Sequence, residues 1–457
     1  MKFYVLIALI FIFFVNPEIY HEHILTFGLV LIAVLFFEFI RGFGIRIHPL
    51  DLMGFYAMAA YWVAPALAYH LTEIGWYEGF NFMCIPSEKY FATAVPGTLA
   101  LLAGINFPFK IAYKNHKEYY EKISDYLKDK TDAGFKLFWI GLGSNLIAPF
   151  APGGLGFFLE LSSQLIYIGA LYLWFSPMDM SKKLPYLVAM FLMPLARALK
   201  GGMFGEVVFW GAFMAMLMLL KFHVAFWKKM VIAVFGVVFI LFIQSIKYEF
   251  RQMTWYTQET SQQTMGYKAE VFQKLWSDRV ADPDLLVGPL MLSNALDRTN
   301  QGSLVAMAVR YVPEYEPYAN GETIFLATAA SFIPRFVWPN KPVVGSREKM
   351  IRFTGFDNGE YTAMDIGQLG DAYVNFGPWG GALFMFIYGF LFAFIFAKIF
   401  EIAESNMLSL ILWVPLFYAG VVQMDGSVLA CMNHIIKTGM FTFMAIMAYK
   451  KFFGTEL

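Results

Sequence analysis

Long apolar runs separated by short clusters of lysine and arginine set the pattern of the chain. A helix needs about 20 mostly apolar residues to cross a bilayer. Lys and Arg in short connections mark the cytoplasmic side. On these two rules the first run, 3–15, leads outward, and the second, 24–40, returns to Arg41 and Arg46. Runs follow at 50–69, 91–107, 137–150, 157–175, 184–195, 207–220 and 230–244, with Lys182, Lys183, Lys221, Lys228 and Lys229 at cytoplasmic ends. After a long mixed segment come runs at 379–400 and 407–422 and one within 429–449, which closes on Lys450 and Lys451. The expected fold is an all-α polytopic membrane protein of about twelve transmembrane helices, with both termini cytoplasmic.

This count divides one integrated domain into three regions: nine membrane helices over 1–246, a large extracytoplasmic loop region over 247–377, and three membrane helices over 378–457. Lys2 and the apolar run behind it have the look of a signal peptide. No small-residue cleavage site follows at Asn16-Pro17-Glu18, so the run reads as a retained helix. The polar segment 110–136 carries Lys110, Lys114, Lys117, Lys122, Lys128, Lys130 and Lys136, the strongest cytoplasmic mark in the chain. Its centre, 117–130, reads as an amphipathic helix on the inner leaflet.

Composition agrees with the pattern. The 457 residues are 59% hydrophobic and only 15% charged, which leaves too much apolar surface for one soluble core. The net charge is zero, so no bulk field points to nucleic acid. Cys84 and Cys431 lack metal-ligand spacing and read as two unrelated apolar thiols. No cofactor and no metal is expected.

The location of the remaining charges changes the picture. Between 321 and 356 lie Arg335, Lys341, Arg347, Lys349 and Arg352, with Arg298 and Arg310 upstream. Arginine forks onto two phosphate oxygens and keeps its charge when desolvated, so cations at an outer membrane surface suit a lipid-linked phosphate or diphosphate. The bland alternative is pairing with the acids of the same region, Glu314, Glu316, Glu322, Asp357 and Asp365. Arg335 stands apart, since Pro334 and Pro339 stiffen its aromatic frame. Arg197 and Lys200 sit in an expected short outer turn, 197–202, against the charge bias; binding and snorkelling weigh equally there. Asp371 and Asn375 share a face if helical, and either bind sugar hydroxyls and take a proton or cap a helix entry. His434 is a second candidate base.

The stretch Phe332-Ile333-Pro334-Arg335-Phe336-Val337-Trp338-Pro339-Asn340-Lys341-Pro342, followed by Gly370-Asp371-Ala372-Tyr373-Val374-Asn375-Phe376-Gly377, resembles the Wzy-type oligosaccharide repeat-unit polymerases, which make bacterial O-antigens and exopolysaccharides. The turn at 197–202 resembles a further, weaker family element, with Lys200-Gly201-Gly202 in place of its usual residues and Asp371 in place of a frequent Glu. The resemblance implies a GT-C-like glycosyltransferase of the bacterial cytoplasmic membrane. It would elongate a glycan carried on a polyprenyl diphosphate lipid, with flippase and chain-length regulator proteins as partners. It implies Arg335, with Arg310, Arg197, Lys200 and Lys341, as diphosphate ligands. Asp371 or His434 would be the base, and Asn375, Tyr373 and Trp338 would meet sugar. An O-antigen ligase would share all of this except the acceptor. A flippase would instead carry charges inside its spans, and a non-enzymatic scaffold would tolerate loss of Arg335.

Overall fold

The computed structural model describes residues 2–76, 83–107, 109, 114–151, 153–201, 205–255, 264–333, 337–359, 362–454 and 457. Among these every regular element is a helix. Each of the twelve expected runs falls on one. Six helices are long and apolar enough to cross a membrane: Ile24–Gly42, Pro49–Glu73, Phe158–Phe175, Phe226–Thr254, Gly367–Ala403 and Val428–Phe453. Large apolar side chains such as Phe11, Leu146, Phe235 and Phe443 point outward from the bundle. Backbone polar groups satisfied inside helices, under an apolar outer surface, are what a bilayer demands of a spanning chain.

The other expected runs are shorter or less apolar helices. Lys2–Val15 has 14 residues. Ser87–Ile105 has 19 residues, but much of its surface is buried against protein. It packs along Gly367–Ala403, and two glycines permit the close approach. A Cβ on Gly104 would meet Phe386 O and Phe390 N, and one on Gly389 would stand 2.7 Å from Leu101 O. Met180–Gly201 contains Pro185 and Pro194 and continues as helix into the expected outer turn, as far as Gly201. Arg197 and Lys200 are therefore helical residues, a correction to the turn. The reason is tertiary: Arg197 is bonded sideways to two other helices rather than released into a loop.

The segment after the Phe226–Trp255 helix is a folded structure rather than an open loop. It contains Met265–Ala281, Pro289–Thr299, Gly302–Tyr311, Glu322–Phe332 and Arg347–Thr354. Ser346 caps Arg347–Thr354 by accepting from Lys349 N, and Gly355 closes it in the left-handed conformation (φ 68°). The Gly367–Ala403 helix bends at Gly377 (φ 68°, ψ −170°), immediately before Pro378. Only glycine adopts that backbone without strain.

Candidate functional site

Polar side chains gather where this folded segment meets the Gly367–Ala403 and Val428–Phe453 helices. At the centre Lys349 lies between two carboxylates. Its ammonium donates to Asp365 Oδ1 at 2.6 Å and makes ionic contact with Asp371 Oδ1, also at 2.6 Å. Burial alone would lower the Lys349 pKa; the charges of Asp371 and Asp365 outweigh it and hold the pKa above the ordinary lysine value. Asp365 Oδ2 also accepts from Gly345 N at 3.2 Å. Asp371 Oδ2 accepts from Val428 N at 2.8 Å. That contact puts a carboxylate on the first turn of Val428–Phe453, beside the Ser427 cap, where the helix dipole favours negative charge.

Asp371 is only 3% exposed. Its oxygens face Lys349 and Val428, so in this conformation it does not meet a substrate hydroxyl as a base must. The helical spacing to Asn375 is as expected, with Asn375 Nδ2 donating to Asp371 O at 2.7 Å. Asn375 is fully buried and donates to Thr323 Oγ1 at 2.6 Å while its oxygen accepts from Gly321 N at 3.1 Å. It fastens the entry of Glu322–Phe332 and turns no polar atom outward. Tyr373 donates to Val312 O at 2.9 Å from a buried position. Trp338 packs on Ala327, Ala330 and Leu429. These three side chains brace the region instead of presenting a sugar-binding face, because their polar or apolar surfaces are already used.

The expected diphosphate ligands separate in the same way. Arg335 lies outside the described residues, and the side chain of Lys200 lies outside them too. Lys341 donates to Ala330 O at 2.7 Å and Ile333 O at 2.8 Å, closing the C-terminal end of Glu322–Phe332. Arg197 pairs with Glu160 Oε1 at 3.0 Å and donates to Ser163 Oγ. The Asn145 amide, oriented to satisfy both of its polar atoms, accepts from Arg197 Nε and Nη2 at 2.8 Å. Arg310 is exposed at the end of Gly302–Tyr311. His434 Nε2 lies 2.8 Å from Leu416 O, where the Val428–Phe453 helix packs on the short apolar helix Ser409–Tyr418, with Gly420 against its ring. A ring so held is a structural tie.

The bland alternative holds for three further cations. Arg347 forks onto Asp357, Arg352 bridges Glu316 and Glu322, and Lys349 is paired as described. Cys84 and Cys431 are free thiols.

Sequence reasoning missed the residues that join the parts. Gln301 donates to Asp365 O at 2.7 Å and Asp425 O at 3.3 Å. Gln368 donates to Gln423 O at 3.0 Å and accepts from Tyr61, whose hydroxyl also contacts Met424 O. Amides in loops and at helix starts carry no periodic signal, so only the folded chain reveals them. The result is one hydrogen-bonded layer running from Lys349 through Asp365 and Gln301 to the backbone carbonyl of Asp425.

No curated protein and no solved structure matches the chain. A family described as a domain of unknown function, DUF8712, matches residues 46–452, which include this whole layer. The chain belongs to that family.

Proposed function

We propose that the chain is a membrane glycosyltransferase, with about twelve spans and a GT-C-like arrangement, that polymerises lipid-diphosphate-linked oligosaccharide repeat units on the outer face of a bacterial cytoplasmic membrane. One observation carries the reading. The two sequence elements that resemble the Wzy-type polymerases meet on a single short helix, Glu322–Phe332. Asn375 from the second element holds the entry of that helix through Gly321 and Thr323. Lys341 from the first holds its exit through Ala330 and Ile333. The helix is apolar and exposes Phe325 (73%) and Phe332 (63%). A short helix of this kind suits the boundary between lipid and water. Arg335 comes three residues after Phe332 in the sequence.

In this reading Arg335, assisted by Arg310, binds the diphosphate of the donor lipid. Lys341, Asn375, Tyr373 and Trp338 position the frame. The acceptor hydroxyl oxygen forms a bond to the anomeric carbon as the bond from that carbon to the diphosphate oxygen breaks. The lipid diphosphate leaves with the electron pair, and cations stabilise the charge that develops on it. The acceptor proton passes to a carboxylate that solvent reaches, a role that moves away from Asp371. The ion pairs that tie Lys349 to Asp365 and Asp371 favour an enzyme frame over a gate that must open and close.

The test is polymer length on a gel from cells carrying Arg335→Ala or Arg335→Lys at membrane levels matched to the native chain. The reading predicts products stalled at single lipid-linked units. Normal polymer from both variants would sink it.

A further inference from the structure

A cavity of about 760 Å³ opens at the lysine-rich end of the bundle. Its walls come from the Glu118–Leu127 helix, from the end of Gly367–Ala403 with the residues that follow it, and from the last turns of Val428–Phe453. Glu118–Leu127 is the amphipathic helix expected within 117–130. It buries Tyr119, Ile123 and Leu127 and leaves Lys122 and Asp125 exposed, on the lining of the cavity. Glu404 and Lys450, also exposed, join them there. Below these four charges the lining is apolar, with Met407 and Leu408 buried in the core. Tyr126 donates to Leu457 O at 2.7 Å, which fixes the wall that these two residues share.

The depth and the charges of the cavity indicate its ligand. Val428 lies in the polar layer around Asp371 and begins a helix able to cross a membrane. At 1.5 Å per residue, Ile446 lies about 27 Å and Lys450 about 33 Å beyond it. A hydrocarbon core is about 30 Å thick. The cavity therefore stands at the level of lipid head groups, on the face opposite the polar layer. A purely basic cavity at such a boundary selects an anionic lipid. Here Asp125 and Glu404 oppose a net anion. A head group that carries both signs satisfies all four residues: its phosphate meets the lysines, its ammonium meets the carboxylates, and each contact is a charge-assisted hydrogen bond. The apolar lining receives the start of an acyl chain.

We propose that this cavity binds the head group of a phosphatidylethanolamine, with Lys122 and Lys450 on the phosphate and Asp125 and Glu404 on the primary ammonium. The site does not depend on the glycosyltransferase reading. It uses none of that reading's residues and lies at the other membrane face.

The full chain is purified in neutral detergent, and its Tm is followed by tryptophan fluorescence while phosphatidylethanolamine, phosphatidylcholine or phosphatidylglycerol is titrated in. Phosphatidylcholine carries the same phosphate, but its quaternary ammonium donates no hydrogen bond. Half-maximal stabilisation is expected at a phosphatidylethanolamine concentration about ten-fold or more below that of phosphatidylcholine, the difference that a charge-assisted hydrogen bond makes. The double variant Asp125→Asn/Glu404→Gln erases that difference. Lys122→Gln weakens the response to both lipids alike, since both carry the phosphate. All three side chains are exposed, so the replacements leave the fold intact, and an unchanged Tm before lipid is added checks this. Equal responses of the native chain to phosphatidylethanolamine and phosphatidylcholine overturn the proposal, as does a preference that survives in the double variant. A stronger response to phosphatidylglycerol overturns it too, because the cavity would then be a site for anionic lipid.

Discussion

The Lys349 ammonium lies 2.6 Å from the Asp371 carboxylate, and through this contact the Arg347–Thr354 helix is tied to the Gly367–Ala403 helix. Asp365 shares the same ammonium. Removing Lys349 leaves two poorly solvated carboxylates facing each other. Lys349→Ala is expected to cost about 3–5 kcal/mol, the penalty for breaking a buried pair. Adding Asp371→Asn restores part of it, because the amide oxygen still accepts from Val428 N. Thermal unfolding of the single and double variants in detergent measures the coupling. Simple addition of the two losses would contradict the pairing.

The same contact fixes the sign of a pH effect. Folding raises the Lys349 pKa, so its contribution is complete below the ordinary value of 10.5 and fades as pH climbs through the folded value. The stability gap between the native chain and Lys349→Met therefore narrows above that value. Asp357 behaves oppositely. Arg347 and the Gly359 N–H hold its pKa at about 2, so its contribution persists above the ordinary carboxylate range and disappears as pH falls toward 2. Unfolding temperatures of Lys349→Met and Asp357→Asn across both ends of the pH range check the two directions. A Lys349 gap that widens at high pH would be inconsistent with the geometry.

Asn375 satisfies a backbone N–H on one segment and a carbonyl on another from a site with no access to water. Asn375→Ala is expected to destabilise by about 1–3 kcal/mol through those orphaned groups. Limited proteolysis should show Glu322–Phe332 released first. Uniform loss of protection across the chain would argue against a local brace.

Gly104 and Gly389 let two helix backbones approach closely. Gly104→Val forces them apart, with an expected loss of about 1–3 kcal/mol or more, whereas Gly143→Ala, inside the Thr131–Ile147 helix with nothing within 4 Å of the added carbon, costs nothing and gains up to about 1 kcal/mol of helix propensity. Equal unfolding temperatures for the two variants would refute the close packing.

The apolar runs were readable in the sequence because a bilayer imposes length and hydrophobicity on each helix separately. Helix ends were less readable, because they depend on partners. Phe226–Trp255 continues past its apolar stretch since Arg279, from another helix, takes up Glu249. Met180–Gly201 runs into an expected turn since Glu160 and Ser163 take up Arg197. The spacing of Asp371 and Asn375 showed that they share a helix face. It did not show that the face turns inward, which depends on Lys349 and Gly321 arriving from far along the chain. The prolines around Arg335 marked a stiff segment, and the bonds of Lys341 explain how the helix before it is held.

The most direct measurement gives the purified full chain a polyprenyl-diphosphate-linked oligosaccharide in neutral detergent and follows both glycan length and free lipid diphosphate. The account predicts longer glycans with release of one lipid diphosphate for each unit added, and neither product from Arg335→Ala. Glycans that stay at one unit with the native chain, while the lipid-linked substrate remains intact, would contradict it.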